Sequence, residues 1–397
     1  MEAKKLVVYV LAGVNFTHIM FTMVLMPLGD ELMREFDISA FQFSHLITAY
    51  AIAAFLSGLA AVFLMDRFNR KTTLLFLFTA FWIAASGCSL VGSYEQLLLL
   101  RFLAGAFGGL LSAVALAIVS DLYSFKERGA AIGLLMAGFS AAAALGVPVG
   151  LLIADWLSWR VTFLFVGLMG MIFTILILIK FPPLEVQSEE YKLQKLFEPI
   201  KQIIASANQI KALVAAFVLI LGHFLIIPFI APFMIRNVGF SMTEISYLYF
   251  AGGFLTIFST PIIGKITDRI GSLRSGVIFM ILSFLPVILL TQMSTTTFVY
   301  GLFVIAMFYV LGSGRMIGPQ TIITAAAPPE TRGAFMSLKS SVQQLAIAFA
   351  GFFSGLIVFT DGADEIFVNY DKLGYLSILI CLVALGLIKL VTVARGN

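Results

Sequence analysis

Long apolar stretches alternate with short polar segments along almost the whole chain. Twelve of these stretches are close to the ~20 residues that an α-helix needs to cross the hydrocarbon core of a bilayer. The pattern predicts helices at 6–29, 43–65, 72–93, 97–120, 130–153, 161–181, 210–235, 245–267, 276–294, 298–325, 334–359 and 373–394. We therefore expect an all-α polytopic membrane protein with twelve transmembrane helices.

A short charged cassette occurs twice between these stretches. It reads Asp66-Arg67-Phe68-Asn69-Arg70-Lys71 after the second predicted helix and Gly264-Lys265-Ile266-Thr267-Asp268-Arg269-Ile270-Gly271 after the eighth. A polar turn that recurs at half the chain length indicates a duplicated transporter. We predict two pseudo-symmetric six-helix halves, 1–181 and 210–397, joined by a polar linker over 182–209. A solvated linker is the favoured interpretation, and a helix along the membrane surface is the alternative.

Composition and charge agree with a membrane protein. The chain is 60% hydrophobic and 12% charged, whereas soluble domains carry about 25% charged residues. The segments predicted to be cytoplasmic hold 19 basic residues, against four on the opposite side: Arg34, Arg160, Arg236 and Lys372. The positive-inside rule then places both termini in the cytoplasm. The scattered basic residues do not form a nucleic-acid site, and the two cysteines have no metal-binding spacing.

Ionisable residues inside a membrane are rare and mark functional sites. Near the predicted midplane the chain has His18, His223 and Arg315, and no carboxylate. Arg315 stands 17 residues before Arg332, which corresponds to ~25 Å along a helix. A guanidinium at that depth needs an anion, so we expect Arg315 to bind an anionic substrate. The alternative is a structural contact with backbone carbonyls, water or a helix-end acid such as Asp30.

The two histidines occupy matching positions, each nine residues before a proline (Pro27 and Pro232). Their helices correspond in a duplicated transporter, and histidine titrates in the physiological range. We therefore expect His18 and His223 to couple protons, with packed, satisfied histidines as the alternative. Arg101 and Asp30, near helix ends, are further proton-coupling candidates, although Arg101 is equally suited to anchoring its helix. His18 and His223 are also substrate-binding candidates, together with Asn15, Tyr50, Tyr247, Gln320, Gln343 and Gln344. The adjacent glutamines do not both face one cavity.

Small residues recur every four positions in the fifth predicted helix, at Gly138, Ala142, Gly146 and Gly150. Such a stripe permits close helix contact. Pro148 interrupts the backbone hydrogen bonds and favours a bend. Plain packing explains part of this pattern.

These motifs resemble the major facilitator superfamily, in order and spacing, over essentially the whole chain. The second cassette, Gly264 to Arg274, fits the loop motif of that family, whereas the first has Val62 and Asn69 where the family has glycine. Arg101-Phe102-Leu103-Ala104-Gly105 resembles the arginine motif of the fourth helix. Gly146-Val147-Pro148-Val149-Gly150 is similar to the glycine-proline motif of exporters in the drug and sugar efflux branch. The resemblance implies gating roles, listed by position: Asp66, Arg70, Asp268, Arg269, Gly146, Pro148 and Gly150. For the basic residues among them, the alternative is that they only fix the orientation of the helices in the membrane by the positive-inside rule.

The resemblance implies a secondary transporter that works by alternating access, without cofactor, metal or enzymatic activity. We expect proton-coupled efflux of an anionic or amphipathic small molecule by a monomer in the bacterial cytoplasmic membrane. The alternatives are proton-coupled uptake of an organic anion, such as a carboxylate, a phosphorylated compound or a siderophore, and efflux of neutral or cationic drugs. A non-transport receptor would not need an intramembrane arginine, and an ATP-driven pump would need a nucleotide-binding loop that the sequence lacks.

Overall fold

The computed structural model describes residues 2–64, 69–123, 128–181, 193–361 and 365–393. These residues form seventeen α-helices, α1 to α17, and one short hairpin, β1–β2. The helices are α1 Glu2–Val24, α2 Gly29–Glu35, α3 Ala40–Leu64, α4 Arg70–Gly87, α5 Tyr94–Gly108, α6 Leu111–Leu122, α7 Arg128–Ala141, α8 Val147–Trp156, α9 Trp159–Lys180, α10 Leu193–Ala205, α11 Ala207–Phe224, α12 Ile230–Phe233, α13 Met242–Ile270, α14 Ser272–Thr291, α15 Phe298–Ala325, α16 Arg332–Ile357 and α17 Tyr370–Lys389.

The helices supply the twelve spans that the sequence predicts. In the part of the chain that the structure describes, eleven helical segments are long and apolar enough to cross a membrane. The twelfth span is α4, which has 18 residues and begins with the charged pair Arg70-Lys71. Three spans consist of more than one helix: the fourth is α5 with α6, the fifth α7 with α8, and the seventh α11 with α12. The others follow in chain order, from α1 as the first to α17 as the twelfth.

Helix packing repeats between the two halves. The first span packs against the fifth and sixth, and the seventh packs in the same way against the eleventh and twelfth. The third span lies against the fourth and sixth, as the ninth lies against the tenth and twelfth. Across the halves, α3 of the second span packs on α16 of the eleventh, and α8 of the fifth packs on α13 of the eighth. These two contacts are also related by the repeat, as two pseudo-symmetric halves require.

Two spans depart from regular α-helix at prolines. In the fifth span a π-helical turn, Ala142–Gly146, ends two residues before Pro148. Proline has no N–H to donate, so the preceding turn widens instead of breaking. In the seventh span, predicted as one helix over 210–235, Ile227–Phe229 forms a 3₁₀ turn and Met234–Val238 a π turn.

The bundle has two ends that we name for use below. The terminal face carries the N-terminal end of α1 and the C-terminal end of α17. The hairpin face, at the opposite end, carries α2 and the antiparallel strands β1 (Phe359–Asp361) and β2 (Ile366–Val368). The all-α prediction did not include this hairpin, which is too short to show a strand pattern in the sequence.

The linker predicted over 182–209 is partly helical. Its second part is α10, and residues 182–192 lie outside the described residues. Ile203 of α10 is buried among residues of the second half, whereas the neighbouring Ile204 is 63% exposed. One side of α10 is thus packed on the second half, and its location along a membrane surface stays a prediction.

Candidate functional site

A buried ion pair joins the two halves at the hairpin face. Arg236, in the π turn that ends the seventh span, donates from Nε to the carboxylate of Asp30 in α2. Its side chain is only 3% exposed, and that of Asp30 is 9% exposed. Arg236 also donates to Glu365 at 2.7 Å, and its guanidinium lies 5.3 Å from the ring centre of Phe367. The pair therefore holds α2, the seventh span and the hairpin together.

Acidic and basic side chains both lie near this ion pair. Arg34, whose side chain is 63% exposed, approaches Asp30 at 3.2 Å. Burial raises the pKa of Glu31, and the like charges of Glu35, Asp30 and Asp155 raise it further. The hairpin face thus holds several carboxylates near one buried guanidinium.

The halves touch closely at the hairpin face and the middle of the bundle. Thr48 of α3 donates to the carbonyl oxygen of Ala348 in α16 at 3.2 Å. Gly253 of α13 lies against Ala144 in the π turn of the fifth span. Towards the terminal face, Gly58 of α3 still lies against Ser341 of α16, whereas no other described atom lies within 4 Å of the Cβ positions of Gly133 in α7 and Gly264 in α13. The ion pair that joins the halves within the described ranges lies at the hairpin face.

Arg315 lies inside the second half, between the seventh, tenth and twelfth spans. It has 0% exposure. Its guanidinium contacts Nδ1 of His223 through one terminal nitrogen and Sγ of Cys381, at 3.8 Å, through the other. Its Nε has no hydrogen-bond partner among the described residues. Asp30, considered above as a structural partner, is bonded to Arg236 instead. The buried positive charge therefore has only neutral neighbours.

Arg101 is also buried without a carboxylate beside it, in the first half. Its Nε donates to the carbonyl oxygen of Leu46 at 3.4 Å, and a terminal nitrogen donates to that of Phe21 at 3.5 Å. Its guanidinium lies 4.6 Å from the ring centres of both Phe21 and Tyr50. Tyr50 in turn bonds His18 Nε2 at 2.7 Å. Carbonyl oxygens and aromatic faces thus stabilise this cation.

Each half therefore contains a histidine and an arginine on corresponding spans. His18 and Arg101 belong to the first and fourth spans, and His223 and Arg315 to the seventh and tenth. In the second half the two side chains touch directly, whereas in the first Tyr50 connects them. Residue-by-residue alignment of the halves hides this relationship, because it sets Arg315 against Leu111 rather than Arg101.

The neutral substrate-binding candidates do not form one cluster. Asn15 is buried and donates to the carbonyl oxygen of Leu135 at 3.2 Å. Tyr247 is 54% exposed. Gln320, Gln343 and Gln344 are half-buried, and Oε1 of Gln320 lacks a hydrogen-bond partner among the described residues. Of this group, only Gln320 has a buried polar atom that is unused within the described part of the chain.

The small-residue stripe of the fifth span packs inside its own half. Gly138 lies against Ala12, Gly146 against Phe16 and Met20, and Gly150 against Val24, all on α1. Thr162 Oγ1 donates to the carbonyl oxygen of Gly150 at 2.7 Å. The opposite side of the same π turn meets Gly253 of α13, so this span connects the first span with the other half.

The charged gating candidates lie at the terminal face. Arg70 forms an ion pair with Asp121 at 3.4 Å, which links the third and fourth spans within one half. Asp268 and Arg269 are exposed, and no ion pair within the described ranges involves either. Asp66 lies outside the described residues. No charged contact between the halves is seen at this face in the described part of the chain.

Sequence reasoning missed Arg236, which it treated only as one of four basic residues on the far side. A signal was present. Arg236 follows Asp30 by 206 residues, nearly the spacing of the two histidines, so the repeat places opposite charges at equivalent ends of the first and seventh spans. Positions that the repeat makes equivalent lie close together when they are near the pseudo-two-fold axis between the halves. Opposite charges at two such positions, as at Asp30 and Arg236, can therefore form an ion pair.

The described residues contain no cluster of His, Cys, Asp and Glu side chains that would hold a metal ion. Two packed six-helix halves with few buried charges are an architecture that membrane transporters use. The sequence matches the Major Facilitator Superfamily over residues 9–351 and 212–395. The chain belongs to that family.

Relatives in several organisms are transporters. The chain is 23% identical over 351 residues to the uncharacterized MFS-type transporter YbcL of Bacillus subtilis, with 88% of each chain covered. It is 25% identical to a probable sugar efflux transporter of Helicobacter pylori, over 66% of this chain and 65% of that one. A multidrug resistance protein of Schizosaccharomyces pombe, fnx1, is 35% identical over 34% of this chain and 25% of its own.

Solved structures share the fold. A bacterial homologue of the human lysosomal transporter Spinster, in an inward-facing and unoccupied conformation, has a TM-score of 0.78 at 16% identity, covering 98% of this chain and 97% of that chain. A single-residue mutant of the nucleoside transporter NupG has a TM-score of 0.75 at 14% identity, covering 98% of this chain and 99% of that chain. The predicted family and fold are confirmed.

Proposed function

We propose that the protein exports a small anionic or amphipathic organic molecule and that protons drive this export. One observation carries the proposal: the Arg315 guanidinium is fully buried in the membrane part of the molecule beside His223 and Cys381, with no acid in contact among the described residues. An uncompensated buried charge costs several kcal/mol, roughly. An anionic group of the substrate offsets that cost. His223 is partly exposed, so the substrate reaches the Arg315–His223 pair from the side of the histidine.

Proton coupling in this proposal uses the two histidine–arginine arrangements and Asp30. Asp30 is the one carboxylate-bearing residue among the buried polar residues of the described ranges. Protonation removes its charge and releases Arg236, which opens the hairpin face. His18 and His223 are each linked to an arginine of their own half, His18 through Tyr50 and His223 directly, and in this proposal each imidazole takes up a proton when the opposite arrangement brings water to it. The gating candidates at the terminal face, Asp66, Arg70, Asp268 and Arg269, then act in the opposite, outward-open arrangement.

Orientation and direction are part of the same proposal. The basic terminal face lies in the bacterial cytoplasm, and the structure is then an inward-facing state of a monomer in the cytoplasmic membrane. The names of two relatives, a probable sugar efflux transporter and a multidrug resistance protein, favour export. Uptake of an organic anion with protons uses the same machinery in reverse. Efflux of cationic drugs has less support, because the one buried carboxylate of the described residues already has an arginine partner.

A substrate screen in inside-out vesicles tests the proposal. Vesicles that contain the protein are given an imposed pH gradient, acid inside, and are offered matched anionic, neutral and cationic compounds. We expect accumulation of anionic or amphipathic compounds that collapses when the gradient is removed. Accumulation of cations alone contradicts the substrate class. Accumulation that persists without a pH gradient contradicts proton coupling, and loss of preloaded anion under the gradient indicates uptake instead of export.

A further inference from the structure

A cavity opens at the terminal face of the second half, beside the end of the second cassette and away from Arg315. It has a volume of about 590 Å³ and lies between the start of α14, the end of α15 and the end of α17. Arg274 and Lys389 line it from opposite sides, and no Asp or Glu is among its lining residues. Its other walls include Leu273, Ile322 and Val391, which are apolar. The cavity is therefore positively charged at its rim and apolar within.

No contact with other described residues explains the presence of Arg274 and Lys389 at this cavity. Both side chains are exposed, and neither makes a hydrogen bond or an ion pair within the described ranges. The first half treats the equivalent place differently. There Lys71, at the start of the third span, donates to the carbonyl oxygens of Phe181 at 2.7 Å and Leu178 at 3.2 Å, at the end of the sixth span. The basic residue closes the gap in one half, whereas the gap stays open in the other.

We propose that this cavity binds an anionic phospholipid of the membrane leaflet at the terminal face. The ends of α14 and α17 reach the depth at which lipid head groups lie. Basic pockets between transmembrane helices on the cytoplasmic side suit anionic head groups. A phosphate accepts charge-assisted hydrogen bonds from Arg274 and Lys389, and the apolar walls receive the glycerol backbone and the first acyl carbons. The volume lies within the 300–1,000 Å³, roughly, of ligand pockets.

The lipid would fill the gap between the ninth and twelfth spans that the first half closes with Lys71. The ninth span is joined to the eighth by Gly271, whose φ of +89° favours glycine. Ile270 and Gly271 line the cavity, so a bound head group contacts the end of the second cassette, where α13 ends. The inference does not depend on the transported substrate, only on the terminal face lying at a membrane surface.

Lipid binding is measured on the purified full-length protein by native mass spectrometry and by titration with short-chain phosphatidylglycerol. The double variant Arg274→Gln/Lys389→Gln is expected to bind it about 25-fold more weakly, since each basic residue near a membrane surface contributes about fivefold. The control Lys180→Gln/Lys211→Gln removes two exposed lysines from the same face and is expected to bind as the unmodified protein does. Arg274→Lys/Lys389→Arg keeps both charges and is expected to retain binding, which shows that a loss in the Gln variant is not a folding defect.

Three results would overturn the proposal. Equal loss in the Gln variant and the lysine control indicates general attraction of anions to a basic surface. Unchanged binding in the Gln variant removes the two residues from the site. Displacement of the lipid by inorganic phosphate or glycerophosphate at equal concentration indicates a site for a soluble phosphate compound rather than a lipid.

Discussion

Asp30 and Arg236 connect the two halves of the molecule through a buried ion pair, although 206 residues separate them in the chain. Opening the hairpin face requires this contact to break, because one residue belongs to each half. The pair therefore belongs to the closed arrangement only. The ion pair therefore changes the free-energy difference between the closed and the open arrangement, rather than the free energy of unfolding of the whole protein.

Asp30→Asn should open the hairpin face. Removal of one partner of a buried ion pair costs about 3 kcal/mol, which corresponds to a shift of roughly 100-fold towards the open arrangement. Spin labels at Glu95→Cys and Thr295→Cys, both exposed on the hairpin face in different halves, report the change as a longer distance by pulsed electron resonance. The native cysteines are buried and do not interfere.

Arg34→Gln is the matched control for this experiment. Arg34 also lies next to Asp30, but its side chain is mostly exposed, and exposed ion pairs contribute about 0–1 kcal/mol. We expect the label distance to stay close to that of the unmodified protein. Similar distances in Asp30→Asn and in the unmodified protein would show that the ion pair does not hold the face closed.

The number of spans and their duplication could be predicted from the sequence, because hydrophobic length and a repeated cassette are local signals. The partners of the buried charges could not. Arg315 meets His223 and Cys381 because the seventh, tenth and twelfth spans converge, and Arg101 meets Tyr50 for the same kind of reason. Which helix faces which neighbour depends on packing of small residues, such as Gly253 against Ala144, and a single sequence records that only weakly.

Arg315→Gln should impair transport of an anionic substrate while leaving membrane insertion intact. A charge-assisted hydrogen bond contributes about 1.5–3 kcal/mol, so the half-saturating concentration should rise about 10- to 150-fold. Transport is measured in vesicles with expression levels matched by immunoblot. Lys180→Gln, a neutralised lysine at the terminal face, serves as the control. Unchanged transport kinetics in Arg315→Gln would exclude Arg315 from substrate binding.

His18→Gln and His223→Gln should change the dependence of transport on pH. His18 bonds Tyr50, which lies against Arg101, and His223 contacts Arg315 directly, so the loss of either histidine removes the ring nitrogens that the proposal assigns to proton transfer. Initial rates are measured between about pH 5 and 8 under a fixed pH gradient. His45 offers a matched control, because it is the third histidine of the chain and packs against Phe41 and Phe352. Profiles of all three variants that coincide with that of the unmodified protein would remove the histidines from proton coupling.

Two glycines of α7 should respond in opposite ways to the same substitution. A methyl group on Gly138 would collide with the backbone carbonyl of Ala12 in the first span, whereas one on Gly133 would meet nothing within 4 Å among the described atoms. Gly138→Ala forces the two helices apart, and overpacking of this kind costs about 1–3 kcal/mol. Gly133→Ala adds helix propensity without a clash, and the gain reaches about 1 kcal/mol. We expect thermal unfolding in detergent to occur at a lower temperature for Gly138→Ala and at an equal or higher temperature for Gly133→Ala. Equal shifts in both variants would mean that the first and fifth spans do not need the close contact that the glycine stripe provides.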